Sequence, residues 1–293
     1  PVRQRKMAHL TSQRAHATRH TSGRIRETGK PAVPPCLCPS QPSKAAMRSV
    51  QMQAGGSITR EVLRRQDRQK LDASDDRAFY DSPRLVRHVD DNFLAQVTQL
   101  YRERIPAGGT VLDLCSSWVS HLPPEAKYGK VVGHGMNAAE LARNDRLDHF
   151  WVRNLNVEPS GWATADSSYD AVVCCVSVQY MQQPEAVFAE INRVLKPGGV
   201  CIITFSNRMF AQKAIAAWRD ADSGYARVQL VKSYFMAIEG FTRPEALLQV
   251  PLPNQAPPLS SRLPGPLAQV AKLFERSATD PFYGVLAYKQ PSP

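Results

Sequence analysis

Apolar residues in this chain fall into short runs separated by stretches of helical periodicity. "TVLDL" at 110–114, "KVVGHG" at 130–135 and "HFWVRNL" at 149–155 are brief runs bounded by polar or turn residues. "YDAVVCCVSV" at 169–178 and "VCIITFS" at 200–206 are apolar at consecutive positions, as strands buried on both faces must be. Between them, "PEAVFAEINRVLK" at 184–196 brings Val187, Ile191, Val194 and Leu195 to one helical face, with Pro184 in its first turn and "KPGG" at its end. Strands alternating with helices in this way predict an α/β fold, a doubly wound and mostly parallel Rossmann-like sheet. "ALLQVPL" at 246–252 and "FYGVLAYK" at 282–289 supply a sixth and a seventh strand.

Further helices are predicted over 61–72, 83–105, 137–143, 208–221 and 225–238. In the second of these Leu94, Val97, Leu100 and Tyr101 share a side, and Pro106 with Gly108 and Gly109 stops it. The Pro-rich stretch 251–266 reads as an exposed loop.

Charge changes the picture at the N-terminus. Residues 1–56 hold ten Lys or Arg and a single acid, Glu27, a net +9 out of the chain's +11. The remainder carries only +2, which argues against a nucleic-acid partner, since that needs a basic face on the folded domain. The acid-poor, Arg- and Ser-rich stretch 1–57 is expected to be a disordered leader resembling a transit peptide, with a chloroplast as first destination and a mitochondrion as second. Residues 58–293 are expected to form the domain. No apolar run approaches the ~18 residues of a membrane span. Cys115, Cys174, Cys175 and Cys201 fall in strand-like runs and are expected to be buried free thiols; no Cys and His spacing indicates a metal.

The ordered series "VLDL", "VVGHG" and "SYDAVVCCVSVQYMQQPEAVFAEINRVLKPGGVCIITFS" resembles class I S-adenosylmethionine-dependent methyltransferases, specifically the type 11 methyltransferase domain. The likeness covers roughly residues 78–290, closing with "GFTRPEALLQV" and "DPFYGVLAYK". It implies a seven-stranded sheet, S-adenosyl-L-methionine as cofactor, and a transferase acting on a small-molecule acceptor, a protein acceptor remaining an alternative. Ligands of such sheets bind beyond the carboxyl ends of the strands. The resemblance therefore assigns cofactor contacts to Asp113, Cys115, Ser116, Ser117, Gly133, Gly135, Asn137, Leu155, Asn156 and Val176, with Val157 beside them. Substrate-side positions are Tyr80, Gln179, Tyr180, Asn207 and Arg208, with Asp81, Arg84 and Ser206 nearby.

Two supports of the family's site are replaced. The turn after "VLDL" normally carries glycines but here reads Cys115, Ser116, Ser117, Trp118 and Val119. The acid that normally ends the second strand is Gly135. Three readings follow. The cofactor binds through substitutes, with Asn137 reaching the ribose; the domain is an inactive methyltransferase fold that binds a partner or another ligand; or Trp118 fills the old pocket. On the first reading an acid restored at Gly135 should tighten binding. No catalytic base is assigned, and His134 and His121 are the candidates, each also readable as structural.

Overall fold

The computed structural model describes residues 56–253 and 259–291. The expected leader lies outside these apart from Gly56 and Ser57. The described chain begins as a strap, residues 56–90, that contains α1 (Asp76–Tyr80). It continues through α2 (Asp91–Arg104), β1 (Thr110–Asp113), β2 (Lys130–Gly135), α3 (Ala138–Leu141), β3 (His149–Val152) and β4 (Tyr169–Cys175). Then come α4 (Pro184–Val194), β5 (Leu195–Phe205), α5 (Ala216–Asp220), α6 (Gly224–Met236), β6 (Glu245–Leu247), α7 (Leu259–Arg262), α8 (Gly265–Ala278) and β7 (Tyr283–Tyr288).

The seven strands form one sheet in the order β3-β2-β1-β4-β5-β7-β6. The first five pair in parallel, and β7 runs antiparallel to both β5 and β6. Strand order reverses between β1 and β4, so their carboxyl ends open a crevice at that point. The pleat divides the apolar runs between two layers. Val111, Val131, Ala171, Val173, Val200, Ile202 and Leu286 pack under α2, against Phe93, Leu94, Val97, Leu100 and Tyr101. Leu112, Val132, Val172, Cys174, Cys201, Ile203 and Val285 face the opposite layer, with Val187, Ile191 and Val194 of α4 and Val228, Val231 and Phe235 of α6. Burial on both faces is why these strands read as continuous apolar runs.

The sequence overstates the helices that contact the strap. Residues 61–72 form turns and irregular chain instead of a helix, with the Val62 and Leu63 N–H groups donating to Glu185 at 2.8 and 2.9 Å. The Arg68 guanidinium pairs with the same carboxylate at 2.9 Å, and Leu63 is buried. Within 83–105 the helix begins only at Asp91: Asp90 accepts from Phe93 N at 2.7 Å as its N-cap, and Asp90 and Asp280 also exchange side-chain-to-backbone hydrogen bonds. Within 208–221 only Ala216–Asp220 is helical. There Lys213 turns inward to Ser74 and Asp72 of the strap, which holds the preceding turn away from helical geometry. The expected sixth strand shortens to Glu245–Leu247, and α7 and α8 follow in a region the sequence reading left as loop or unassigned.

Ile202 is fully buried at the centre of β5, in register with Val173 and Leu286. Ile202→Ala should lower stability by about 2–5 kcal/mol, read from urea unfolding.

Candidate active site

The turn after β1 is built around one backbone conformation. Cys115 has φ +57, a left-handed value that costs a residue with a Cβ roughly 1–2 kcal/mol. Three hydrogen bonds hold it there. Leu114 N–H donates to Val173 O at 2.8 Å, and Ser116 N–H donates to His134 O at 2.6 Å. Cys115 N–H itself donates to His134 Nδ1 at 3.2 Å. An amide can only donate, so Nδ1 is the acceptor and the imidazole proton resides on Nε2, 3.0 Å from Arg153 O. His134 thus ties the turn after β1, the end of β2 and the chain leaving β3 through its own ring. With both nitrogens committed to backbone it is a structural residue and not a base.

Asp113 and the serines complete the turn. Ser116 Oγ and Ser120 Oγ both donate to Asp113 Oδ2 at 2.6 Å. Asn144 donates to Ser117 O and to Ser120 Oγ at 3.0 Å. These bonds order residues 114–129, which connect β1 to β2 without a helix. Burial pushes the Asp113 carboxyl up to about 6, against the two serine hydroxyls that favour its ionised form.

The carboxyl ends of the central strands enclose a cavity of about 350 Å³. That is within the size range of small-molecule sites. Asp113, Cys115, Ser116, Ser117, Gly135, Asn137, Leu155, Asn156 and Val176 line it, as do Tyr80, Tyr180 and Arg208. Trp118 is part of the wall and does not fill the space; its indole N–H lies 3.4 Å from Val86 O on the strap.

Other expected site residues do different work. Gly133 lies outside the lining, where a Cβ would press on the end of the Leu147 side chain, 2.4 Å from Cδ1. Gln179 is buried outside the lining and donates to Val176 O at 2.9 Å. Val176, at φ +50, is an outlier for a β-branched residue, and its own N–H donates to Thr204 O at 2.8 Å. Gln179 therefore positions Val176 at the cavity instead of meeting substrate. Asn207 and Val157 are exposed and outside the lining. Tyr180 accepts from Phe210 N–H at 2.9 Å, and burial raises both its pKa and that of Tyr80. Cys174 and Cys201 are buried, whereas Cys115 and Cys175 are half-buried and reach the cavity.

Two expectations fail on geometry. A Cβ at Gly135 would stand 2.6 Å from Ser116 O, so no side chain fits where the family places its acid. Asn137 caps α3 by accepting from Ala139 N and Glu140 N, and its amide donates to Tyr80 O and Asp81 O at 2.8 and 2.9 Å. Both ends of its side chain are committed. The carboxylate near the end of β2 comes from Glu140, within the helix predicted over 137–143. It accepts from Ser117 Oγ at 2.5 Å and Arg84 N at 2.7 Å, and it lines the cavity. The Asn-x-x-Glu spacing of a helix start was its legible signal. Asn156 is likewise occupied, by Asp76, Tyr180 O and Gln182 N. Asp76 Oδ1 is buried in the cavity wall without a hydrogen bond, with Lys213 Nζ at 3.5 Å.

A parallel sheet with a reversed seventh strand, and a cavity across the β1–β4 switch point, define the class I methyltransferase fold. Residues 119–203 match the family described as a methyltransferase domain. The fold and the matched segment are therefore like those of class I S-adenosylmethionine-dependent methyltransferases, whose cofactor is S-adenosyl-L-methionine. The chain is similar to the malonyl-[acyl-carrier protein] O-methyltransferase of Hahella chejuensis (strain KCTC 2396), with 29% identity over 136 residues. That stretch is 44% of this chain and spans about half, 47%, of the relative. Among solved structures, an S-adenosylmethionine-dependent methyltransferase from Mesorhizobium loti is 14% identical at a TM-score of 0.40, covering 65% of this chain and 96% of its own. Phosphoethanolamine N-methyltransferase 2 of Haemonchus contortus, in complex with S-adenosyl-L-methionine, is 15% identical at 0.41, covering 67% of this chain and 52% of its own. Among the described residues no helix is long and apolar enough to cross a membrane.

Gly135→Asp should cost about 1–3 kcal/mol of stability in urea and should not strengthen cofactor binding, because Ser116 O must move to admit the side chain. Asp113 carries a pH signature. With its folded pKa raised from 3.8 to about 6, the native state binds its proton more tightly than the unfolded chain. Its contribution to stability is therefore full below pH 4 and is lost as pH rises to 6. Asp113→Asn should accordingly be more stable than the parent above pH 6, by about 2–3 kcal/mol, and equal to it below pH 4 in thermal unfolding.

Proposed function

We propose that the protein transfers the methyl group of S-adenosylmethionine to a small-molecule acceptor held in the outer part of the same cavity. The observation that carries this reading is the cavity itself, formed at the carboxyl ends of β1, β2 and β4 around a left-handed turn at Cys115. The residues fit the cofactor. The Cys115–Ser117 turn and Gly135 are narrow enough for close approach, and Leu155 and Asn156 offer backbone and an apolar wall. Asp113 and Glu140 place two carboxylates at the inner end. Negative charge there suits the ammonium and the sulfonium of the cofactor, and Glu140 has lone pairs left for ribose hydroxyls.

When bound, the cofactor supplies an activated methyl group, so the chain's work is alignment and exclusion of water. The strap closes one side through Asn156 on Asp76 and Lys213 on Asp72, at 2.8 and 3.0 Å. Asn137 fixes the strap to the cofactor side through the carbonyls of Tyr80 and Asp81. His121 also lines the cavity; burial lowers its pKa to about 4, which keeps the imidazole neutral and able to accept a hydrogen bond from an acceptor hydroxyl or amine.

Calorimetry with S-adenosylhomocysteine tests the reading. The protein should bind it with micromolar affinity, about −8 kcal/mol. Ser117→Leu, which puts an isobutyl group into the wall and removes the hydroxyl that orients Glu140, should weaken binding at least tenfold while leaving the circular dichroism spectrum unchanged. No heat and no thermal stabilisation with the parent protein would overturn the proposal.

A further inference from the structure

Five Lys or Arg side chains line the cavity: Lys70, Arg84, Arg87, Arg153 and Arg208. Four have a carboxylate partner, in Lys70–Asp76, Arg87–Asp91 and Arg208–Asp280, each at 2.6 Å, and Arg153–Glu158 at 2.9 Å. Among the described residues Arg84 pairs with none. Its guanidinium lies 4.2 Å from the centre of the Phe79 ring, with Phe210 at 5.6 Å and Tyr80 at 5.9 Å. Its one hydrogen bond runs from Nη2 to Phe79 O at 2.9 Å. A guanidinium has five donors in a fixed plane. The aromatic faces offset part of its charge without using those donors. The cavity's carboxylates are engaged elsewhere: Asp76 with Lys70, Asp113 with serine hydroxyls, and Glu140 with Ser117 Oγ and the backbone N–H of Arg84.

We infer that the acceptor is a small anion, with a planar or apolar body in the aromatic recess and a carboxylate or phosphate on Arg84. The inference rests on the methyltransferase reading above and adds the substrate class to it. Three features support it. Among the described residues, Arg84 is the cavity cation without a carboxylate partner. The guanidinium geometry suits a two-point contact to carboxylate or phosphate. The positive charge of Arg84 is felt at the neighbouring His88, whose pKa is lowered by burial and by Arg84 although Glu140 acts the other way. Arg84 is also fixed relative to the cofactor side, because its backbone N–H is held by Glu140.

The test titrates the full chain, saturated with S-adenosylhomocysteine, with benzoate, phenyl phosphate and neutral benzamide, followed by ligand-observed NMR. At least one of the two anions should bind, and which of them does distinguishes carboxylate from phosphate; benzamide should bind at least tenfold more weakly. Arg84→Gln should weaken the anion at least tenfold and leave S-adenosylhomocysteine affinity within twofold, whereas Arg84→Lys should retain part of the anion binding. Equal binding of benzamide and benzoate, unchanged anion binding in Arg84→Gln, or no anion binding in a protein that still binds S-adenosylhomocysteine would each overturn the anionic acceptor and leave the cofactor reading standing. Failure to bind S-adenosylhomocysteine would remove the cofactor reading, and this inference with it.

Discussion

The site depends on the imidazole of His134. A left-handed Cys115 is unfavourable by itself, and the ring opposes that cost by accepting the Cys115 N–H while its other nitrogen binds Arg153 O. Both partners are backbone groups that would otherwise lack a hydrogen bond, and a buried unpaired amide costs about 1–3 kcal/mol. The ring also packs on Trp151, with centroids 4.2 Å apart. One buried side chain therefore connects three strand ends that the sheet's own ladder has already released. Glycine turns reach the left-handed region without a Cβ penalty. This chain reaches it with an ordinary residue and a dedicated clamp.

The clamp explains why β2 ends on glycine and not on an acid. Ser116 N–H donates to His134 O, which draws the turn toward the end of β2 and leaves its carbonyl beside Gly135. A side chain at 135 and this turn cannot coexist. Glu140, a short distance along α3, brings a carboxylate from a place where it clears the turn, and the Ser117 hydroxyl orients it. The serines that replace glycines are thus hydrogen-bonding parts of the same arrangement: Ser116 and Ser120 satisfy Asp113, and Ser117 satisfies Glu140.

The sheet was legible because its central strands are buried on both faces, and that burial writes continuous apolar runs into the sequence. "KVVGHG" matches β2 residue for residue, and the helix predicted at 184–196 differs from α4 only at its end. The strap was not legible. Its backbone donors are satisfied by distant partners, Glu185 at Val62 and Leu63 above all, and such partners leave no periodic trace near the residues they serve. The site divided in the same way. Position beyond a strand end located Cys115, Ser116, Leu155 and Val176 at the cavity. It could not show that Asn137 and Asn156 have their amides fully occupied, because a side chain's commitments depend on the strap crossing above it.

The strap also decides how far the cavity can discriminate. Its charges are answered within the fold wherever a carboxylate is in reach: Arg68 by Glu185, Lys70 by Asp76 and Arg87 by Asp91. The polar groups of α1 are shared between Asn156 and Asn137, which lie at the ends of different strands. A shift of the strap would therefore disturb the chain after β2 and after β3 together. The two sides of the cavity are mechanically one unit, and a group carried on the strap is set relative to the inner carboxylates by hydrogen bonds to its backbone. This is the condition for in-line transfer: the geometry between two bound molecules must be fixed by the protein, because a small misplacement of the reacting atoms forfeits much of the gain from holding them together.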